Sequence, residues 1–118
     1  MKKFLAIYLG STKAASAIEW ASLNESARKE REIAGMKSWS AWASENHKVI
    51  SDSGSPLGKP KRIDRNGISD VKNAMAAWTI VQAETHDAAA KLFINHAHFT
   101  LFPGDSVEIM ECLPMPSM

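Results

Sequence analysis

The stretch Trp78-Thr-Ile-Val-Gln-Ala-Glu84, continued by Thr85-His-Asp-Ala-Ala-Ala-Lys-Leu-Phe93 and closed by Pro103-Gly104 and Asp105-Ser-Val-Glu-Ile-Met-Glu-Cys-Leu113, reads as strand, helix, turn, strand. In the first piece β-branched and aromatic residues alternate, so Trp78, Ile80 and Gln82 take one side and Thr79, Val81 and Ala83 the other. Thr85 is placed to cap the next segment. Asp87 puts negative charge at its positive end, and Ala89, Leu92 and Phe93 share one helical face. Proline fixes φ and glycine permits positive φ at 103–104, so a turn precedes the last alternating run.

Working outward, Lys3 to Leu9 alternates Phe4, Ala6 and Tyr8 against Leu5, Ile7 and Leu9. Both faces are apolar, which predicts a central strand covered on both sides. From Thr12 to about Lys48 the chain is rich in Ala, Glu, Lys and Arg and has no proline, so it reads as helix, broken at Asn24 or Ser26, each a better cap than an interior residue. Ile33, Met36, Trp39 and Ala43, with Trp42 beside them, form an apolar stripe expected to lie on the sheet. Val49 to Asp52 reads as a second strand, ended by Gly54-Ser-Pro-Leu-Gly58. Asp64-Arg-Asn-Gly67 signals a turn.

Strand, helix, strand, then strand, helix, strand in 118 residues predicts one domain over residues 1–118. The fold class expected is α+β: a ferredoxin-like sandwich with a four-stranded antiparallel sheet and both helices on one face. The other face needs a cover, and a second copy of the sheet supplies one, so a homodimer is expected. In the rival form of that dimer, which keeps no cavity, the sheet-to-sheet contact is filled by Tyr8, Ile80 and Ile109.

A formal charge of +1 with scattered Lys and Arg lacks the basic stripe that nucleic-acid binding requires. No run approaches the ~20 apolar residues of a membrane span. Cys112 is the only cysteine, so no internal disulfide forms, and a cytoplasmic protein without cofactor or metal is expected. Lys2-Lys3 before the apolar run to Leu9 imitates a secretory leader, but Lys13 interrupts the cleavage region and the alternation suits a strand.

Gly54-Ser-Pro-Leu-Gly-Lys-Pro-Lys-Arg62, the strand at Trp78 and the closing run from Gly104 to Pro116 together resemble the YCII-related family and its DGPF-domain branch. The resemblance implies a dimeric α/β barrel of ferredoxin-like subunits. Some members are small enzymes acting on aromatic or lactone-like compounds, and a His/Asp pair is proposed as catalytic in some. Lys59 stands where that branch commonly has an acid, whereas Lys61 matches its lysine. A ligand-wrapping loop carries over; chemistry through that carboxylate does not.

Among the polar residues, His96 and His98 stand out, since two imidazoles two residues apart face one way on extended chain and serve as a ligand-binding or acid/base pair near neutral pH. The alternative is a His at a helix C-terminus with a solvated neighbour. No third ligand at a defined spacing supports a metal. His47 is a catalytic candidate if Asp52 orients it, with His98 the other. Gly54, Pro56, Lys59 and Lys61 are the candidate ligand loop, against the alternative of a charged hairpin tip that keeps an edge soluble. Glu108 and Glu111 fall on opposite faces of the last strand. The reading that follows is a small-molecule-binding protein or small enzyme, with a cleft at the dimer sheet interface for an anionic or aromatic metabolite. A dimerisation module without a cavity is its rival. The residues point to a pocket and name no reaction.

Overall fold

The computed structural model describes residues 1–117. Strand β1 (Lys2–Leu9) lies at the centre of a four-stranded antiparallel sheet, between β5 (Met75–Ala83) and β6 (Ser106–Glu111), with β2 (Ile50–Pro56) outside β5. The order β2-β5-β1-β6 interleaves two strand-helix-strand crossovers, which is the ferredoxin-like arrangement.

Phe4, Ala6 and Tyr8 from β1 and Thr79, Val81 and Ala83 from β5 are buried on the helix side. Their cover is α2 (Glu25–Glu45), α3 (His86–Lys91) with the turn that follows it, and α4 (Ala97–Thr100), through Trp39, Trp42, Ala89, Phe93 and Ala97. The break before α2 falls at Asn24, whose side chain accepts from the Ala27 amide at 2.8 Å, and it separates α2 from α1 (Ala15–Ser22). Thr85 caps α3 in the same way, accepting from the Ala88 amide at 3.1 Å.

Three expectations are corrected. Ile33 and Met36 are more than half exposed, so the inward face of α2 runs Gly35, Trp39, Trp42 instead. Gly35 is buried because the Phe102 ring lies where its Cβ would project, at 2.5 Å. Trp42 is tied across the layers by its indole N–H, which donates to the Leu92 carbonyl at 2.6 Å.

Second, β2 does not end at Asp52. Gly54 takes φ +70° and its amide donates to the Asp52 carboxylate at 2.9 Å, so the register shifts and the strand runs on to Pro56. The positive φ makes a bulge where a side chain would have stopped the ladder, and Pro56 is tolerated because β2 is an edge. Beyond it, β3 (Lys61–Asp64) and β4 (Gly67–Asp70) form a separate hairpin around the turn at Arg65-Asn66.

Third, Tyr8 and Ile109 face the helices with their even-spaced neighbours. The side of the sheet away from the helices carries Leu5, Ile7, Leu9, Trp78, Ile80 and Met110 by alternation, so of the three residues assigned to a sheet-to-sheet contact only Ile80 lies there. Among the described residues, no helix is long and apolar enough to cross a membrane.

Candidate functional site

The bulge in β2 and the tryptophan face of α2 leave a gap between them. Ser53 to Pro56 and Ala77 to Thr79 wall it on the strand side, Met36 and Trp39 on the helix side, with Phe102 and Tyr8 closing it. The cavity holds about 410 Å³, within the range of small-molecule sites. None of its lining residues carries a charge, and four are aromatic. Such a wall favours a flat, uncharged ring, because an ion would leave water without a partner.

The polar groups of the cavity sit together. Tyr8 Oη lies 3.2 Å from Thr79 Oγ1, and Thr79 Oγ1 donates to the Ser53 carbonyl at 3.2 Å. Burial pushes the Tyr8 hydroxyl up to about 12, against a smaller downward pull from Thr79, so it stays protonated at all physiological pH. Tyr8 also packs on the Trp39 indole, ring centres 4.9 Å apart.

Behind Trp39 lie His96 and His98, both buried and neither lining the cavity. The chain turns into the short helix α4 there, which is not the extended backbone that two imidazoles need to face one way. His96 is its N-cap, Nδ1 accepting from the His98 amide at 3.0 Å, so the proton of its neutral ring resides on Nε2. That Nε2–H has no hydrogen-bond partner. The His96 ring is packed among aromatic rings: Trp39 perpendicular to it with centres 4.5 Å apart, Trp42 at 4.8 Å, and Phe93 stacked at 5.8 Å. Burial, reinforced by His98, lowers the His96 ring to about 4. His98 is lowered too, by burial first, against the opposing pull of the Leu9 carbonyl and Asp105, and its Nε2 donates to Leu9 O at 2.7 Å. Gly104 passes so close to the His98 ring and carbonyl that no side chain fits at that position. The two imidazoles are structural pins of the β1–α4 junction.

The remaining candidates disperse. Gly54 and Pro56 line the cavity, but Lys59 and Lys61 flank a separate groove at the base of the hairpin, with Asp70 and Lys72. Lys61 is bonded there to the Asp70 carboxylate at 2.6 Å, so its charge is already matched. His47 Nδ1 donates to the Ser44 carbonyl at 2.9 Å while Asp52 holds the Gly54 amide, so the two do not form a pair. Glu108 is exposed opposite Ile7, and Glu111 is half-buried opposite Phe4 on the helix side. Among the described residues, no group of three His, Cys, Asp or Glu side chains is arranged to hold a metal.

Tyr8, Thr79 and Phe102 were not singled out from the sequence as site residues. One signal was present: on the helix face of β5, Thr79 is the one hydroxyl among Ala77, Val81 and Ala83, and the register sets it beside Tyr8 through the pair Ala6–Thr79.

No family model and no curated protein matches the chain. Among solved structures, the chain is similar to the 5-chloro-2-hydroxyhydroquinone dehydrochlorinase TftG of Burkholderia phenoliruptrix AC1100, determined in complex with 2,5-dihydroxybenzoquinone. The TM-score is 0.51 at 15% identity, over 92% of this chain and 90% of that one. The likeness is one of fold, and it is compatible with the YCII-related resemblance.

Proposed function

We propose that this protein binds a small, uncharged aromatic molecule in the cavity between α2 and the bulged edge of the sheet. One observation carries the reading: an uncharged cavity of about 410 Å³ with four aromatic walls and its polar groups gathered at Tyr8 and Thr79. The fold neighbour, a dehydrochlorinase, was determined with the small ring compound 2,5-dihydroxybenzoquinone, which supports a small-molecule role for this fold. Of the two ligand types expected from the sequence, the aromatic one fits this lining. The anionic one rested on Lys59 and Lys61, which lie elsewhere. Isothermal titration calorimetry with phenol and with benzoate at pH 7.5 tests this: phenol binds, and benzoate binds at least about tenfold more weakly because its carboxylate must be desolvated without a partner. Equal affinity for both, or binding of benzoate alone, contradicts it.

The second copy belongs to the other side of the sheet. Leu5, Ile7, Leu9, Trp78, Ile80 and Met110 form an apolar strip with no helix over it, bordered on β6 by the exposed Glu108 beside Ile7, and a two-fold pairing of two such faces gives the homodimer that the YCII-related resemblance implies. Cavity and dimer face then lie on opposite sides of one sheet, joined at Trp78, which lines the first and alternates onto the second. Sedimentation velocity at micromolar concentration is expected to give twice the subunit mass. Ile7→Glu, which replaces an apolar contact with a second carboxylate beside Glu108, is expected to give the single subunit. A wild-type protein that sediments as one subunit contradicts the pairing.

A further inference from the structure

The hydroxyl chain at the cavity floor has a direction, and the direction is fixed by its far end. A backbone carbonyl only accepts, so the single hydroxyl proton of Thr79 is committed to Ser53 O. Thr79 Oγ1 therefore meets Tyr8 as an acceptor, and Tyr8 spends its own proton on Thr79. What remains on the Tyr8 oxygen is a lone pair.

Resting on the reading of this cavity as an aromatic-ligand site, we infer that Thr79 sets the polarity of its floor, so that Tyr8 presents an acceptor and the site selects rings bearing a hydrogen-bond donor, a phenolic hydroxyl above all, over rings bearing only an ether or a carbonyl. Tyr8 touches the ligand; Thr79 acts through Tyr8 as a specificity-determining residue. An ether or ketone oxygen placed there faces another lone pair, and neither has a proton to share. A ring hydroxyl extends the chain by one link and leaves every group in it bonded.

Reversing the direction should reverse the choice. Thr79→Val keeps the β-branched shape on a buried strand position but removes the acceptor, so the Tyr8 proton is released to turn toward the cavity. The test is calorimetric titration of phenol, anisole and acetophenone into the wild-type protein, Thr79→Val, Thr79→Ser and Tyr8→Phe. In the wild type, phenol is expected to bind about tenfold or more tightly than either of the others. In Thr79→Val the preference is expected to collapse and acetophenone to gain. Thr79→Ser restores the wild-type order, and Tyr8→Phe brings phenol down to the level of anisole. If phenol has no advantage in the wild type, or if Thr79→Val leaves the ratio of phenol to acetophenone unchanged, the inference is wrong while the cavity still binds rings. If none of the three binds the wild type, the reading of the cavity falls and takes the inference with it.

Discussion

Gly54→Ala is expected to cost roughly 3–5 kcal/mol of stability, a large part of what a domain of this size possesses. Two terms combine. The residue sits at φ +70°, where a side chain is strained by about 1 kcal/mol or more, and its Cβ would overlap the Trp78 carbonyl and crowd the Trp78 ring. The neighbour that must yield is backbone of β5, so the strain cannot be relieved by a rotamer change. Either the β2 edge detaches at the bulge or the whole sheet margin shifts, and in both cases the strand wall of the cavity opens. Urea denaturation followed by circular dichroism gives the difference. Gly58→Ala is the control, since nothing lies within 4 Å of a Cβ there, and it is expected to stay within about 0.5 kcal/mol of the wild type. Equal effects of the two substitutions would remove the bulge from its role in shaping the site.

Acid is expected to unfold the protein through His96. The ordinary imidazole value of 6.5 holds in the unfolded chain, whereas the native ring is lowered to about 4. Between those values the unfolded state binds a proton that the native state refuses. Stability is therefore intact above about pH 6.5, falls as the pH drops toward 4, and levels off below it. At 1.36 kcal/mol per unit the loss amounts to about 3 kcal/mol. His98, lowered in the same direction, adds to it, with Asp105 as the charged group that opposes. His96→Asn keeps an oxygen that can accept from the residue 98 amide and so preserves the cap, but it has nothing to titrate. Its stability at pH 7.5 is expected to be lower, for lost packing against Trp39 and Trp42, and its dependence on pH between 6.5 and 4 distinctly shallower. An equally steep acid transition in that variant would place the sensitive group elsewhere.

Much of the fold was legible from local pattern, because β1, β5 and β6 alternate and α2 and α3 each carry a side-chain cap. The apolar faces of Phe4-Ala6-Tyr8 and Thr79-Val81-Ala83, the caps at Asn24 and Thr85, and the strand at β6 all follow from residue type and spacing. Two of the misreadings fall where a single backbone conformation decides what the side chains do. At Gly54 a positive φ turns an apparent strand terminator into a bulge, and so moves the cavity wall. At His96 a helical turn makes the first imidazole an N-cap and buries both rings, in place of the acid/base pair or the helix C-terminal His read from the sequence.

The site was harder to see than the fold. Its residues come from β1, α2, β2, β5 and the segment after α4, and the pairing that unites them is a tertiary fact. Polar and charged residues drew attention in the sequence because they carry chemistry. In the folded chain Lys61 is neutralised by Asp70 and His47 is turned to its own helix end. The polar side chains gathered at the cavity are a tyrosine and a threonine that read, in sequence, as ordinary members of buried strands.

The central claim is that a ring binds on the helix side of the sheet, and filling that space is its most direct test. Ala77 lines the cavity and lies outside the polar chain, so Ala77→Leu adds bulk to the wall while Ile80→Ser alters only the opposite face. Phenol titrated calorimetrically into the two variants and the wild type is expected to lose its binding in Ala77→Leu and to retain wild-type affinity in Ile80→Ser. Retained affinity in Ala77→Leu together with loss in Ile80→Ser would move the ligand to the other side of the sheet and contradict the assignment.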